Sequence, residues 1–139
     1  MLNTQLQIII PTPGRGLHDI TENVKQILNS STINCGLINI FIHHTSASLL
    51  INENYDPLVL ADLEAFMLRL IPDGDALFKH VEEGPDDMPA HVRSALTTST
   101  LTLPITAGKL ALGTYQAIYL WEHRLKPYER KLTLTLQGS

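Results

Sequence analysis

The chain contains a single cysteine, Cys35, in 139 residues. An intramolecular disulfide is therefore excluded, and the composition suits a reducing compartment. Long apolar runs are also missing. The short stretch "LQIII" stops at Pro11 and has no basic segment before it, so neither a signal peptide nor a membrane span is expected. The location these features imply is cytoplasmic. Basic charge is scarce: ten Lys and Arg against fourteen Asp and Glu give a net charge of −4, which argues against general nucleic-acid binding. No GxGxxG, phosphate-loop or GxSxG pattern occurs, so the dinucleotide, nucleotide and serine-hydrolase signatures are absent.

What is present suffices for one domain spanning residues 1–139, with 44% hydrophobic residues and no linker or repeat. "TQLQIII" reads as a strand ended by Pro11 and the "PTPGRG" turn. In "HDITENVKQILNSS", Ile20, Val24, Ile27 and Leu28 fall at helical spacing, and Asp19 with Glu22 forms a capping-box pattern. "GLINIFIHH" is apolar almost throughout, which predicts a strand buried on both faces, with Cys35 buried just before it. "TSASLLINE" follows as another strand. Asp56 and Pro57 are an N-cap and an N1 proline for the helix "PLVLADLEAFMLRLI", which Pro72, Asp73 and Gly74 stop. Pro89 opens a shorter helix, "PAHVRSAL". Three strands follow: "STLTLPI", a long "KLALGTYQAIYLWEH" near a sheet centre, and "RKLTLTLQ". These elements do not alternate in βαβ fashion, so the predicted class is α+β, a largely antiparallel sheet or sandwich with two to three helices.

Charge is segregated along the chain. Eight acids lie between Asp62 and Asp87 with only Arg69 and Lys79 among them, whereas Arg124, Lys126, Arg130 and Lys131 face a single acid, Glu129. Most such segregation is solvated surface. The decapeptide "EEGPDDMPAH" is harder to dismiss, because it ends in His91, eleven residues after His80.

With His44, these make three histidines on three different elements. Three imidazoles with an open position is the arrangement of a catalytic zinc site, and nearby acids would orient the rings or take Mg²⁺ themselves. The spacings match no compact metal signature. On the penultimate strand, Gln116 and Glu122 share a face but stand roughly 20 Å apart, so they cannot grip one small group. Glu122 is the one expected near the histidines, neutralised by Arg130.

The blocks "HHTSASLLINENYDP", "HVEEGPDDMPAHVRSAL" and "GKLALGTYQAIYLWEHR" resemble the signature blocks of the secondary thiamine-phosphate synthase family (YjbQ-type), over essentially the whole chain. The resemblance implies a small α+β homotrimer. It also implies an activity that joins hydroxymethylpyrimidine diphosphate to thiazole phosphate with release of pyrophosphate. The matching positions are His44, Thr45, Ser46, Asn52, Glu53, His80, Glu83, Gly84, Asp86, Asp87, His91, Gly113, Gln116 and Glu122.

On that basis the catalytic candidates are His44, Ser46, Asp87 and Glu122. The candidates for holding a small phosphorylated substrate are Thr45, Asn52, Glu53, Asp86, Gln116 and Arg130. The candidate ligands of a divalent ion, Zn or Mg, are His44, His80 and His91. Gly84 and Pro85 are expected to turn the chain, and Asp86 or Asp87 to cap the helix that presents His91. Three departures stand out: Tyr115 where the family usually has tryptophan, Thr100 where it has serine, and Thr98 near a usual glycine. Two other functions fit the same residues: a trimeric module binding a metal or phosphorylated ligand without turnover, and a metal-dependent hydrolase. The scarcity of Arg and Lys around the site counts against a strong grip on diphosphate.

Overall fold

The computed structural model describes all residues, Met1–Ser139, and shows an α+β fold with three helices and two antiparallel sheets. The strands are β1 (Leu2–Thr12), β2 (Gly16–Asp19), β3 (Gly36–Ile42), β4 (Ala47–Glu53), β5 (Thr100–Thr106), β6 (Lys109–Leu110), β7 (Gln116–Glu122) and β8 (Tyr128–Gly138). The helices are α1 (Thr21–Asn29), α2 (Pro57–Leu70) and α3 (Asp87–Leu96). One sheet has the order β1-β8-β3-β5-β6 and the other β2-β7-β4. No helix is long and apolar enough to cross a membrane.

Alternation builds the core. Ile38, Ile40 and Ile42 of β3 and Leu132, Leu134 and Leu136 of β8 point inward, where they meet Leu49, Ile118 and Leu120 of the smaller sheet. Val24 and Leu28 of α1 join this cluster. The other face of the smaller sheet is covered by α2 and the segments around α3, through Met67, Ile71 and Trp121 with Leu50, Leu63, Phe78 and Val92. β7 is the middle strand of its sheet and is buried along nearly its whole length.

Several expectations fail for local reasons. β3 is buried on one face only, since Leu37 and Phe41 are 49% and 40% exposed. Cys35 is exposed, not a core thiol. β1 does not end at Pro11 but runs to Thr12, which an edge strand permits because the missing N–H faces away from the ladder. The long penultimate strand is broken: Gln116 N–H donates to Gly113 O and Gln116 Oε1 accepts from Gly113 N–H, closing a turn before β7. Asp56 caps α2 by accepting from Leu58 N–H at 2.9 Å, as its position implied. Asp19 does not cap α1; its Oδ1 accepts from Thr21 N–H and the helix has no side-chain cap. Neither Asp86 nor Asp87 caps α3. Pro89 lies inside its first turn, where a proline loses no helical hydrogen bond.

Candidate functional site

The loop before α3 carries Glu83 and Asp86, and the first two turns of α3 carry Asp87 and His91. Positions 87 and 91 are one helical turn apart, so their side chains meet on one face. His91 Nε2 lies 3.1 Å from Asp87 Oδ2, and His80 Nε2 lies 2.7 Å from the same oxygen. Glu83 Oε2 is 3.2 Å from His80 Nε2. One donor atom from each of His80, Glu83, Asp87 and His91 lies within 4.8 Å of every other.

The protons around His91 are informative. Its Nδ1 contacts the Thr45 carbonyl oxygen at 3.1 Å, which can only accept, so Nδ1 carries a proton. In the neutral ring Nε2 is then a bare lone pair, and it faces a carboxylate oxygen. A proton or a cation must separate them. Tetrahedral coordination at the usual Zn–N and Zn–O lengths spaces ligand atoms roughly 3.3 Å apart. The 2.7, 3.1 and 3.2 Å contacts are close to that spacing. His80, His91 and Asp87, with Glu83 at the exposed rim, could therefore hold a divalent ion.

Behind the carboxylates stands Arg124. It donates from Nε to Asp86 Oδ2 at 2.9 Å, from Nη1 to Asp87 Oδ1 at 2.7 Å and from Nη2 to Glu83 O at 2.8 Å. Leu125 N–H adds a bond to Asp86 Oδ2. Burial alone would raise both aspartates, but these bonds and charges outweigh it. Asp86 is held below the usual carboxylate range by Leu125 N–H and Arg124, and Asp87 by its contact with His80 and the charge of Arg124. His80 is raised, chiefly by its bond to Asp87.

Glu122 lies deeper and is fully buried. Its Oε1 accepts from Thr12 Oγ1 and Arg130 Nε, and its Oε2 accepts from Arg130 Nη2 and Arg124 N–H. Arg130 therefore neutralises Glu122, as expected. With both oxygens bonded to Thr12, Arg130 and Arg124 N–H and no bond to a histidine, Glu122 is buried beneath the histidine cluster. Ser46 is also occupied, since its Oγ accepts from Arg130 Nη2 at 3.0 Å. The expected shortage of Arg near the site does not hold, because Arg124 and Arg130 both underlie it.

His44 is not part of the ligand cluster. Its Nε2 accepts from Lys131 N–H at 2.8 Å, and burial followed by the Arg130 charge lowers its pKa. It lines a depression of about 300 Å³ shared with Thr45 and His91. A second depression of about 300 Å³ lies on the His80 side, walled by Phe78, Pro85 and Met88. The ligand cluster thus sits between two openings.

Asn52, Glu53 and Gln116 are elsewhere. The register pairs Glu53 with Gln116 at one end of β7, and Ala47 with Glu122 at the other. Asn52 Oδ1 accepts from Glu53 N–H, and Gln116 is spent on its own turn. Within one chain, these three candidates are not brought to the histidines.

Two groups went unrecognised in the sequence. One is Arg124, whose only signal was the opposition of an acidic loop and a basic segment. The other is a buried chain of polar side chains. Arg93 is fully buried, donates from Nη2 to both oxygens of Glu64, and donates from Nε to His123 Nδ1 at 3.0 Å. His123 Nε2 contacts Ser48 Oγ at 2.8 Å. Nothing in the periodicity of α3 marks Arg93 as interior.

A family model described as UPF0047 protein YjbQ-like matches residues 6–139. The chain belongs to the YjbQ-like UPF0047 family. It is 44% identical over 132 residues to the UPF0047 protein of Synechocystis, covering 95% of this chain and 90% of that one. It is 43% identical to the Salmonella typhimurium YjbQ protein, covering 97% and 98% of the two chains. Among solved structures, a YbjQ-like protein from Sulfolobus solfataricus superposes with a TM-score of 0.86 at 26% identity, covering 99% and 100%. A conserved protein from Thermus thermophilus gives 0.84 at 32% identity, covering 95% and 99%. The YjbQ-like fold is thus shared over the full length that carries the cluster.

Proposed function

We propose that this YjbQ-like protein is a metal-assisted transferase of the secondary thiamine-phosphate synthase type. The observation that carries the reading is the cluster of His80, Asp87 and His91, backed by Arg124 and flanked by a hydroxyl-lined depression. In this reaction the carbon–oxygen bond from the pyrimidine methylene to the diphosphate breaks, and its electron pair leaves with pyrophosphate. The thiazole nitrogen supplies the pair for the new carbon–nitrogen bond. A divalent ion bound at the cluster would neutralise charge on the departing diphosphate.

The chain's own residues contribute position and electrostatics. Asp87 orients both imidazoles, and Arg124 holds the Glu83–Asp87 loop to the sheet. Arg130 and Glu122 form a neutral pair that fixes Ser46 and the loop leading to His44. Two imidazole donors favour zinc or a similar transition ion over Mg²⁺, which prefers oxygen ligands and retains water.

The same donor set favours one second reading, a hydrolase that uses an ion-bound water. Incubating the protein with both phosphorylated precursors and with each separately distinguishes the two. The transferase reading requires thiamine phosphate and pyrophosphate in equal amounts, dependent on added divalent ion and lost in His91→Ala. Release of phosphate from one precursor alone supports the hydrolase.

The reading includes a homotrimer. α2 leaves Leu58, Phe66 and Leu70 on one side at 66%, 53% and 55% exposure, apolar surface that a partner copy would cover. In such an assembly, Gln116, Asn52 and Glu53 of one chain could approach the cluster of another.

A further inference from the structure

We infer that the depression between the His43–Ser46 loop, β4 and α3 is a binding subsite for a phosphate group. It rests on the phosphorylated-substrate reading for its use in the cell, but its chemistry stands on the cavity alone. The lining residues include His44, Thr45, Ser48, Ser94 and Ser99, with no carboxylate and no lysine. Its volume of about 300 Å³ suits a phosphate with part of the group that carries it.

Several donors around this space are unspent. The N–H groups of His44, Thr45 and Ser46 have no acceptor in the chain, and His44 and Thr45 line the depression. The hydroxyls of Thr45 and Ser99 are likewise uncommitted as donors, apart from any solvent. His44 Nε2 accepts from Lys131 N–H, so Nδ1 is the protonated nitrogen of the neutral ring.

The direction of the Ser48 hydroxyl is imposed from behind. Arg93 Nε can only donate, so His123 Nδ1 must accept, and the His123 proton lies on Nε2. Nε2–H then donates to Ser48 Oγ, and the Ser48 hydrogen has no acceptor in the chain. Ser48 is 1% exposed, so its O–H is a buried, oriented donor at the floor of the depression. Burial, followed by the charges of Arg93, Arg15 and Arg130, holds His123 neutral and keeps this polarity constant. Ser94 Oγ donates to Ala47 O and His91 Nδ1 to Thr45 O, so the unspent groups of this carboxylate-free lining are donors, which favours an oxyanion.

The test uses the full-length protein treated with chelator, so that no metal-bound phosphate contributes. Inorganic phosphate is titrated against constant ionic strength while backbone amide resonances are followed. Saturable shifts are expected at His44, Thr45 and Ser46, with affinity reduced about tenfold in Ser48→Ala and in Thr45→Ala. Acetate in a parallel titration should bind more weakly. No saturable shift at these amides, unchanged affinity in a folded Thr45→Ala, or acetate binding as tightly as phosphate would overturn the subsite. Phosphate binding here without thiamine phosphate formation would reject the transferase reading and leave the subsite standing. Product formation without phosphate binding here would do the reverse.

Discussion

Arg124 donates to Oδ1 of Asp87 at 2.7 Å, while the opposite oxygen of that carboxylate faces His80 and His91. The guanidinium thus sets the plane of Asp87 from the interior, and Asp87 sets the imidazoles. Removing Arg124 should free the Glu83–Asp87 loop and weaken divalent-ion binding roughly ten- to hundredfold. Arg124→Lys should recover only part of it, because an ammonium lacks the fork that reaches Asp86, Asp87 and Glu83 together. Zinc titration of Arg124→Ala and Arg124→Lys checks both statements; affinity unchanged in Arg124→Ala would show that the loop holds itself.

Glu122 predicts a different phenotype. It is fully buried with Arg130, and Glu122→Gln leaves an uncompensated cation in the interior. The expected loss is about 3–5 kcal/mol of stability. Denaturant unfolding measures it directly, and a variant as stable as the parent would mean that Arg130 finds another partner.

The fold was legible where periodicity or capping residues decide local structure. Alternation in "RKLTLTLQ" located the inward leucines, and Asp56–Pro57 marked the start of α2. Asp86, Asp87 and His91 were recognisable because one loop and one helical turn hold them together. His44 illustrates the limit. Its nitrogen is taken by the backbone of Lys131, 87 residues away, and only the register of β3 against β8 makes that contact. Arg93 and Arg124 were obscure for a related reason: a basic residue reads as surface until distant acids are shown to enclose it. Gln116 and Glu122 were correctly separated by strand rise alone, since that distance depends on no tertiary contact.

His123 gives a signed pH dependence. Burial and the neighbouring arginines lower it from 6.5 to about 2 in the folded chain. Between those values the unfolded chain binds a proton that the folded chain does not, so stability rises with pH across that window. From pH 5 to 7 this contributes on the order of 2 kcal/mol. The depressed aspartates act below this interval. The raised His80 acts with the opposite sign: its stabilisation is complete below about 6.5 and fades as pH rises through its folded value. Comparing urea midpoints at the two pH values for the parent and His123→Asn isolates the effect. Equal pH sensitivity in both proteins would contradict it.

The exposed face of α2 predicts association. Light scattering at micromolar concentration should give three times the 15.5 kDa chain mass. Leu58→Glu together with Phe66→Glu should dissociate the assembly while α2 retains its Asp56 cap. A parent protein that scatters as a monomer would exclude the trimer.

Cobalt titration of the chelator-treated protein tests whether His80, Asp87 and His91 hold a divalent ion. Imidazole and carboxylate ligation to Co²⁺ in a site of this kind should produce visible absorption that saturates at one ion per chain. His80→Ala and His91→Ala should each abolish that saturation, whereas His43→Ala, whose ring hydrogen-bonds Thr133 and packs edge-on against Phe41, should not. Absorption that saturates unchanged in His91→Ala, or that never appears in the parent, would contradict the metal centre.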